Sequence, residues 1–248
     1  MRLALFGLAI AGAVTGVGGS AHADDNKLTI LQSGIGNELA LDQTQATGSE
    51  VRGLELGDLN GAGLQITPAE AAQQLGGNNA ADVTVTGTGD VYLYQNNTAG
   101  GYPSEASRNT VTIRAENGGT GLVAQNGSGN TATLTVGALS SAAALTVGGQ
   151  AIDGAIIQNG NGNRGTVVTG LNTSGLLVQN GNGNQTVLDV SGSAAGTSVV
   201  YTQNGNNLNS ATAAQVYTNA LNGTVSVTQT SFGSVSTQGT VTVTQTAR

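Results

Sequence analysis

The chain has 248 residues, with seven Lys and Arg against fourteen Asp and Glu, a net charge of −7, no cysteine and no tryptophan. That balance argues against nucleic acid as a partner, because phosphate binding needs clustered Lys and Arg. The single histidine, His22, falls in the N-terminal stretch read below as a signal peptide, and there is no cysteine; a Ser-His-Asp triad, Cys-His chemistry, thiolate or imidazole zinc sites and disulfides are therefore not expected in the exported chain.

Charged residues are 8% and aromatics 3% of the chain, beside 40 glycines. Neither a highly charged disordered tail nor an ordinary globular core has this composition, which leaves a repetitive β architecture. Residues 1–23 read as a secretory signal peptide: Arg2 gives a basic start, "LALFGLAIAGAVTGVGG" an apolar stretch, and Ala21-His22-Ala23 a small-residue cleavage pattern. The exported chain is then 24–248, and no other segment is long and apolar enough for a transmembrane span.

From there the pattern QxGxxNxA recurs. It starts at Gln32, Glu55 (a variant), Gln74, Gln95, Gln125, Gln158, Gln179, Gln203 and Gln229. Intervals of this length mark stacked repeats rather than one globular domain. Glycine holds the third place at Gly34, Gly57, Gly76, Gly127, Gly160, Gly181 and Gly205, and asparagine the sixth at Asn37, Asn60, Asn79, Asn130, Asn163 and Asn184. Short β-prone runs precede the glutamine ("KLTILQ", "DVYLYQ", "GAIIQ", "GLLVQ", "SVVYTQ") and others follow the asparagine ("AADVTV", "TATLTV", "QTVLDV"). One unit is therefore strand, tight Gly/Asn turn, strand.

Residues of equal parity share a strand face. Val91, Leu93 and Gln95 share one, as do Asn130, Ala132, Leu134 and Val136, so the amides point inward with the aliphatic residues and the outer face is expected to be mostly polar. A buried unpaired amide costs about 1–3 kcal/mol. Stacking at the strand spacing of about 4.8 Å removes that cost, because each amide then bonds its counterpart in the next rung. The expected fold is an all-β solenoid, 24–248, of about nine rungs. One unit alone buries too little apolar surface to offset the entropy of ordering its backbone, so neighbours are required.

The ladder and turn residues expected on this basis are Gln32, Gly34, Asn37, Gln74, Gly76, Asn79, Gln125, Gly127, Asn130, Gln158, Gly160, Asn163, Gln179, Gly181 and Asn184, continuing through Gln203, Gly205 and Gln229. The last segment, "GTVTVTQTAR", is a clean alternating strand with Gln245 on the inward parity. It carries little to block an edge, so the ends are expected to be sticky and the protein to self-associate end to end. Glu55 replaces a ladder glutamine. It is either a gatekeeper that slows assembly, since a buried carboxylate without a base is costly, or a residue in a water-exposed end rung.

These residues resemble the curlin repeats of bacterial curli fibres, whose pattern is SxxxxxQxGxxNxAxxxQ. "LTILQSGIGNELALDQ" matches through Gln32, Gly34, Asn37 and Gln43, "QLGGNNAADV" through Gln74, Gly76, Asn79 and Ala81, and "QNGSGNTATLTV" through Gln125, Gly127, Asn130 and Ala132. The family's second glutamine is replaced here by Ile66, Val85, Val136, Thr169 and Val190. The resemblance implies an extracellular, cell-surface functional amyloid of biofilm matrix and adhesion. It also implies export through a dedicated outer-membrane pore and a nucleator subunit that triggers polymerisation.

No catalytic, cofactor-binding or metal-ligating residue is expected, and no cofactor. The acids are scattered singly, which is unsuited to a polysaccharide-cleaving carboxylate pair. "GTGD" at 87–90 is a lone match to calcium-binding repeats. Threonine rows such as Thr131, Thr133 and Thr135 suit an ice-binding face and equally an ordinary wet strand. The alternative function is a monomeric secreted solenoid adhesin that binds a surface or glycan through its outer face.

Overall fold

The computed structural model describes residues 27–28, 30–32, 37–42, 50–56, 66–69, 72–85, 89–98, 104–116, 118–137, 145–147, 150–191, 196–208, 214–215, 223–230 and 240–246. The expected signal peptide and Gly34 lie outside them. Among the described residues the fold is all-β without an α-helix; a single 3-10 turn spans Glu105–Ser107.

Successive strands alternate between two sheets. Asp90–Asn96, Thr120–Asn126, Gly154–Asn159, Thr173–Asn180, Thr197–Asn204 and Thr224–Thr230 are consecutive neighbours in a 12-stranded sheet, here sheet one. The strands between them in sequence, Asn109–Ile113, Thr131–Thr135, Arg164–Val168 and Gln185–Asp189, follow Glu38–Asp42 and Asn79–Thr84 in a seven-stranded sheet two. All these pairings are parallel and in register with the repeat: Gln125 lies opposite Gln95 on one side and Gln158 on the other.

Alternating side chains explain why each strand sits between core and outer face. Thr197–Asn204 alternates buried and half-buried positions along its whole length. The inward set of sheet one, including Val91, Leu93, Val123, Ile156, Leu177 and Val199, packs against Val83, Val111, Ile113, Leu134, Val167 and Leu188 of sheet two. Bulk on one side is matched by its absence on the other. A β-carbon added to Gly165 would come within 2.8 Å of Leu177 Cδ2, and one on Gly154 within 2.8 Å of both Leu134 Cδ1 and Val136 Cγ2.

Three features depart from a plain repeat. The first is a split level near the N-terminus. Glu50–Leu56 pairs with Asp90–Asn96 through Glu50, Val51 and Arg52 only, then turns away to pair antiparallel with Ile66–Ala69, while Ala72–Leu75 takes over the rest of the same edge. The units at Glu55 and Gln74 thus make one level rather than two. Among the described residues the parallel run of sheet one has eight levels, against the about nine expected, counting from the level made by Lys27–Leu28 and Ile30–Gln32.

Second, the Ala-rich insertion contributes an antiparallel hairpin, Leu145–Val147 with Gln150–Ile152. Val147 and Ile152 pack over Tyr92, Leu122, Ala124, Ala155 and Ile157 on the outer face of sheet one. The outer face expected to be polar is therefore apolar and covered there. On sheet two it is polar, with Thr112, Thr133 and Thr166 in neighbouring register.

Third, Thr240–Thr246 closes sheet one antiparallel to Thr224–Thr230, placing Val241 opposite Gln229 and Gln245 opposite Val225.

Truncating Leu177, fully buried between the sheets, to alanine should lower stability by about 2–5 kcal/mol. Leu171→Ala, at a side chain 57% exposed, should change it by less than about 0.5 kcal/mol. Denaturant midpoints of the two variants check the assignment of the core.

Candidate functional site

The parallel register brings eight glutamines into one column inside the stack. Nε2 of each donates to Oε1 of the next: Gln32 to Gln74 at 2.6 Å, Gln74 to Gln95 at 2.8 Å, Gln95 to Gln125 at 3.0 Å, Gln125 to Gln158 at 2.9 Å. The column continues from Gln158 to Gln179 and Gln179 to Gln203, both at 2.8 Å, and from Gln203 to Gln229 at 3.0 Å.

The second Nε2 hydrogen crosses to the facing side of the stack. Gln95 donates to Ala80 O, Gln125 to Thr110 O, Gln158 to Thr131 O and Gln179 to Arg164 O, at 2.9–3.1 Å. Each interior amide therefore has both hydrogens and its oxygen satisfied with almost no exposure. Tyr201, whose hydroxyl pKa is raised by burial, adds a hydrogen bond from that hydroxyl to Gln229 Oε1 at 3.3 Å.

Beyond Asn109 the sixth-place asparagines work differently from the expected amide-to-amide ladder. Oδ1 of Asn109, Asn130 and Asn163 accepts the backbone N–H of Asn130, Asn163 and Asn184 in turn, each at 3.0 Å. Their Nδ2 groups reach up to the turn of the next level: Asn130 donates to Gly160 O, Asn163 to Gly181 O and Asn184 to Gly205 O, all at 2.8 Å. The expected side-chain ladder holds over the first three: Asn79 Nδ2 donates to Asn37 Oδ1 and Asn109 Nδ2 to Asn79 Oδ1, both at 3.1 Å. Asn109 lies off the regular sixth-place spacing, as the partner expected for Gln95 across a long loop. It enters this column because the segment from Asn97 returns through the Glu105–Ser107 turn, whose Ser107 carbonyl accepts Gly129 N–H at 3.1 Å.

Third-place glycines are required by the stacking itself. Gly127, Gly160 and Gly181 have φ of 129°, 125° and 115°, and a β-carbon on any of them would strike the carbonyl oxygen of the glycine one level on. Gly76 meets the backbone of Asn97 in the same way, and Gly205, with φ of 138°, ends this series.

Two further asparagine columns were missed by the sequence reading. At the second place, Asn96 donates to Asn126 at 3.1 Å and Asn180 to Asn204 at 3.0 Å. At the fourth, Oδ1 of Asn161, Asn182 and Asn206 accepts the backbone N–H of Ser128, Asn161 and Asn182, each at 2.8 Å. The signal was present in the intact QNGNGN hexapeptide, but those positions look like ordinary turn residues until identical turns lie on top of one another.

Two expected ladder positions fall outside the column. Extending the Glu50–Asp90 register would set Glu55 against Gln95, yet Gln74 stands there and Glu55 pairs with Thr67. A carboxylate accepts but does not donate, so it would break the amide relay at that level. Gln245 is excluded by strand direction, since an antiparallel strand sets it against Val225, four residues from Gln229. At the Gln203 level Leu208 takes the asparagine place, its N–H donating to Asn184 Oδ1 at 2.9 Å.

Among the described residues Asp153 is the buried carboxyl, and Asp90, half-buried, lies opposite Glu50 in the parallel register. Asp153 is 5% exposed; its pKa is raised above 3.8 by burial, an effect opposed by the N–H of Thr120, which donates to Oδ2 at 2.9 Å. Asp90 is raised for the same reason, with Arg52 opposing. What the arrangement offers is a continuous column of amides, each interior one bonded to an identical amide on either side. No family model matches the chain, and no curated protein and no solved structure matches it.

Gln125→Leu keeps the side chain's size while leaving Gln95 Nε2 without its acceptor and Gln158 Oε1 without its donor. Stability should fall by about 1–3 kcal/mol for each group stranded, measured by denaturant titration. For pH, a carboxyl whose folded pKa lies above its unfolded one binds protons more tightly when folded. Asp153 and Asp90 therefore favour the fold most at acid pH, and that contribution is lost as pH rises from the ordinary carboxylate value through their raised values. Asp153→Asn should raise the midpoint at neutral pH and flatten this part of the profile.

Proposed function

We propose that this chain is a non-enzymatic structural subunit that is exported and polymerises end to end into extracellular curli-like amyloid fibres of matrix and adhesion. Each copy is read as a β-solenoid in which one strand of sheet one, one turn and one strand of sheet two make a rung. The observation that carries this reading is the glutamine column, in which each interior amide is satisfied by an identical amide on either side. Such a column has no internal stopping point, and extending it into a second copy repeats the bonds already present within one. The resemblance to curlin repeats adds the expected setting: a dedicated outer-membrane pore, a nucleator subunit and a cell-surface location.

A monomeric secreted adhesin is the second reading. It is favoured by one feature, the antiparallel strand Thr240–Thr246 that closes sheet one. The two differ in what pure protein does.

Residues 24–248, incubated quiescently, should form fibres after a lag that seeds shorten, with reflections near 4.7 Å along the fibre and about 10 Å across it. A β-rich protein that stays monomeric at high concentration for days would favour the adhesin instead. Thioflavin T kinetics and fibre diffraction separate these outcomes.

A further inference from the structure

Seven hydrogen bonds join the eight stacked glutamines, and all run the same way, from Nε2 of the earlier residue to Oε1 of the later one. A one-way chain ends in unlike groups. At the first level Gln32, which is exposed, donates to Gln74 and its Oε1 accepts no hydrogen bond from the described residues. At the last level Gln229 accepts from Gln203 and Tyr201, and its Nε2 donates to none of the described residues. Among the described residues, then, one end of the column leaves an acceptor and the other a donor without a partner.

The backbone edge beside Gln229 is occupied, but by a strand of the wrong direction. Thr240–Thr246 satisfies backbone groups of Thr224–Thr230 while setting Val241 where the column would continue. Between Asp90–Asn96 and Thr224–Thr230, by contrast, each neighbouring strand of sheet one's parallel run is in register and sets glutamine beside glutamine. The first strand of the chain fits that edge: aligning Gln32 with Gln229 sets Ile30 beside Val227 and Leu28 beside Val225. Within its own copy Leu28 lies opposite the buried Val51 and Ile30 opposite the buried Ala72, so the apolar columns are continued as well as the amides.

We propose that the edge of Thr224–Thr230 is the docking edge for residues 27–32 of a second copy, and that Thr240–Thr246 is a removable cap occupying it in the free molecule. Docking exchanges an antiparallel strand for a parallel one, keeps the backbone pairing, and adds the hydrogen bond from Gln229 Nε2 to the incoming Gln32. Growth then has a fixed polarity, first level onto last level, and requires release of the cap at each addition. The inference rests on the end-to-end reading above.

The test uses the full chain. Ser226 and Thr244 are directly opposite in the antiparallel pair, and the chain has no other cysteine. Ser226→Cys with Thr244→Cys therefore gives a disulfide that pins the cap when oxidised and frees it when reduced.

The oxidised protein should lose elongation on wild-type seeds and, added in small amounts to wild-type protein, should terminate growth; reduction should restore both. Elongation by the oxidised form at the rate of the reduced form would overturn the cap while leaving fibre formation standing. Absence of fibres from wild type would overturn the end-to-end reading and the cap with it. Hydrogen exchange on wild-type protein gives a readout independent of the variant: residues 240–246 should be protected in soluble protein and exchange freely in fibres. Equal protection in both states would overturn the proposal.

Discussion

A primary amide buried in an apolar interior needs two acceptors and one donor, and the inward glutamine of each unit meets that demand with the glutamines of the levels on either side and a carbonyl across the stack. Much of the fold follows from this requirement. Parallel, in-register pairing sets glutamine beside glutamine, and a slip of one residue would turn the whole inward set outward. Close, repeated turns keep the levels parallel, and these leave no room for a β-carbon at the third place. The aliphatic core contributes the larger burial term, but aliphatic side chains tolerate many arrangements; the amides select one.

Insertions are accepted where they leave the column intact. The level shared by residues 50–52 and 72–75 is interrupted by an excursion, yet Gln74 still reaches both Gln32 and Gln95. A longer connection precedes Asn109, and a 3-10 turn stacks on the turn of the following level in place of the Gly/Asn form. The Ala-rich insertion folds back as a hairpin over Leu122 and Ile157, giving part of sheet one a second, smaller apolar layer.

The column itself was legible in the chain because the repeat fixes the spacing and parity fixes the face: Gln125, Gln158 and Gln179 were placed together by those two facts alone. Glu55 was misplaced because a pattern match is local, whereas the edge of Asp90–Asn96 is contested by two strands and is shared between them. Gln245 was misplaced because parity gives the face of a residue and says nothing of strand direction. That Tyr92 and Leu122 form one outward patch depends on the register between levels and on a hairpin that only the fold brings over them. Asn161 and Asn182 passed as turn formers because their partners are more than twenty residues away.

The stacked turns also bear on how long such a stack lasts chemically. An asparagine followed by glycine ages by ring closure: the glycine nitrogen attacks the side-chain carbonyl carbon, ammonia leaves, and the cyclic imide hydrolyses to aspartate or its isomer. The stacked turns hold six such pairs, at 126–127, 159–160, 161–162, 180–181, 182–183 and 204–205. In every one of them the glycine nitrogen donates to a carbonyl of the preceding level, at 2.8–3.0 Å. Ring closure must first break a bond between levels, so the contacts that order the stack also withhold the nucleophile, and a sequence made of fragile dipeptides is slowed in its decay by being folded.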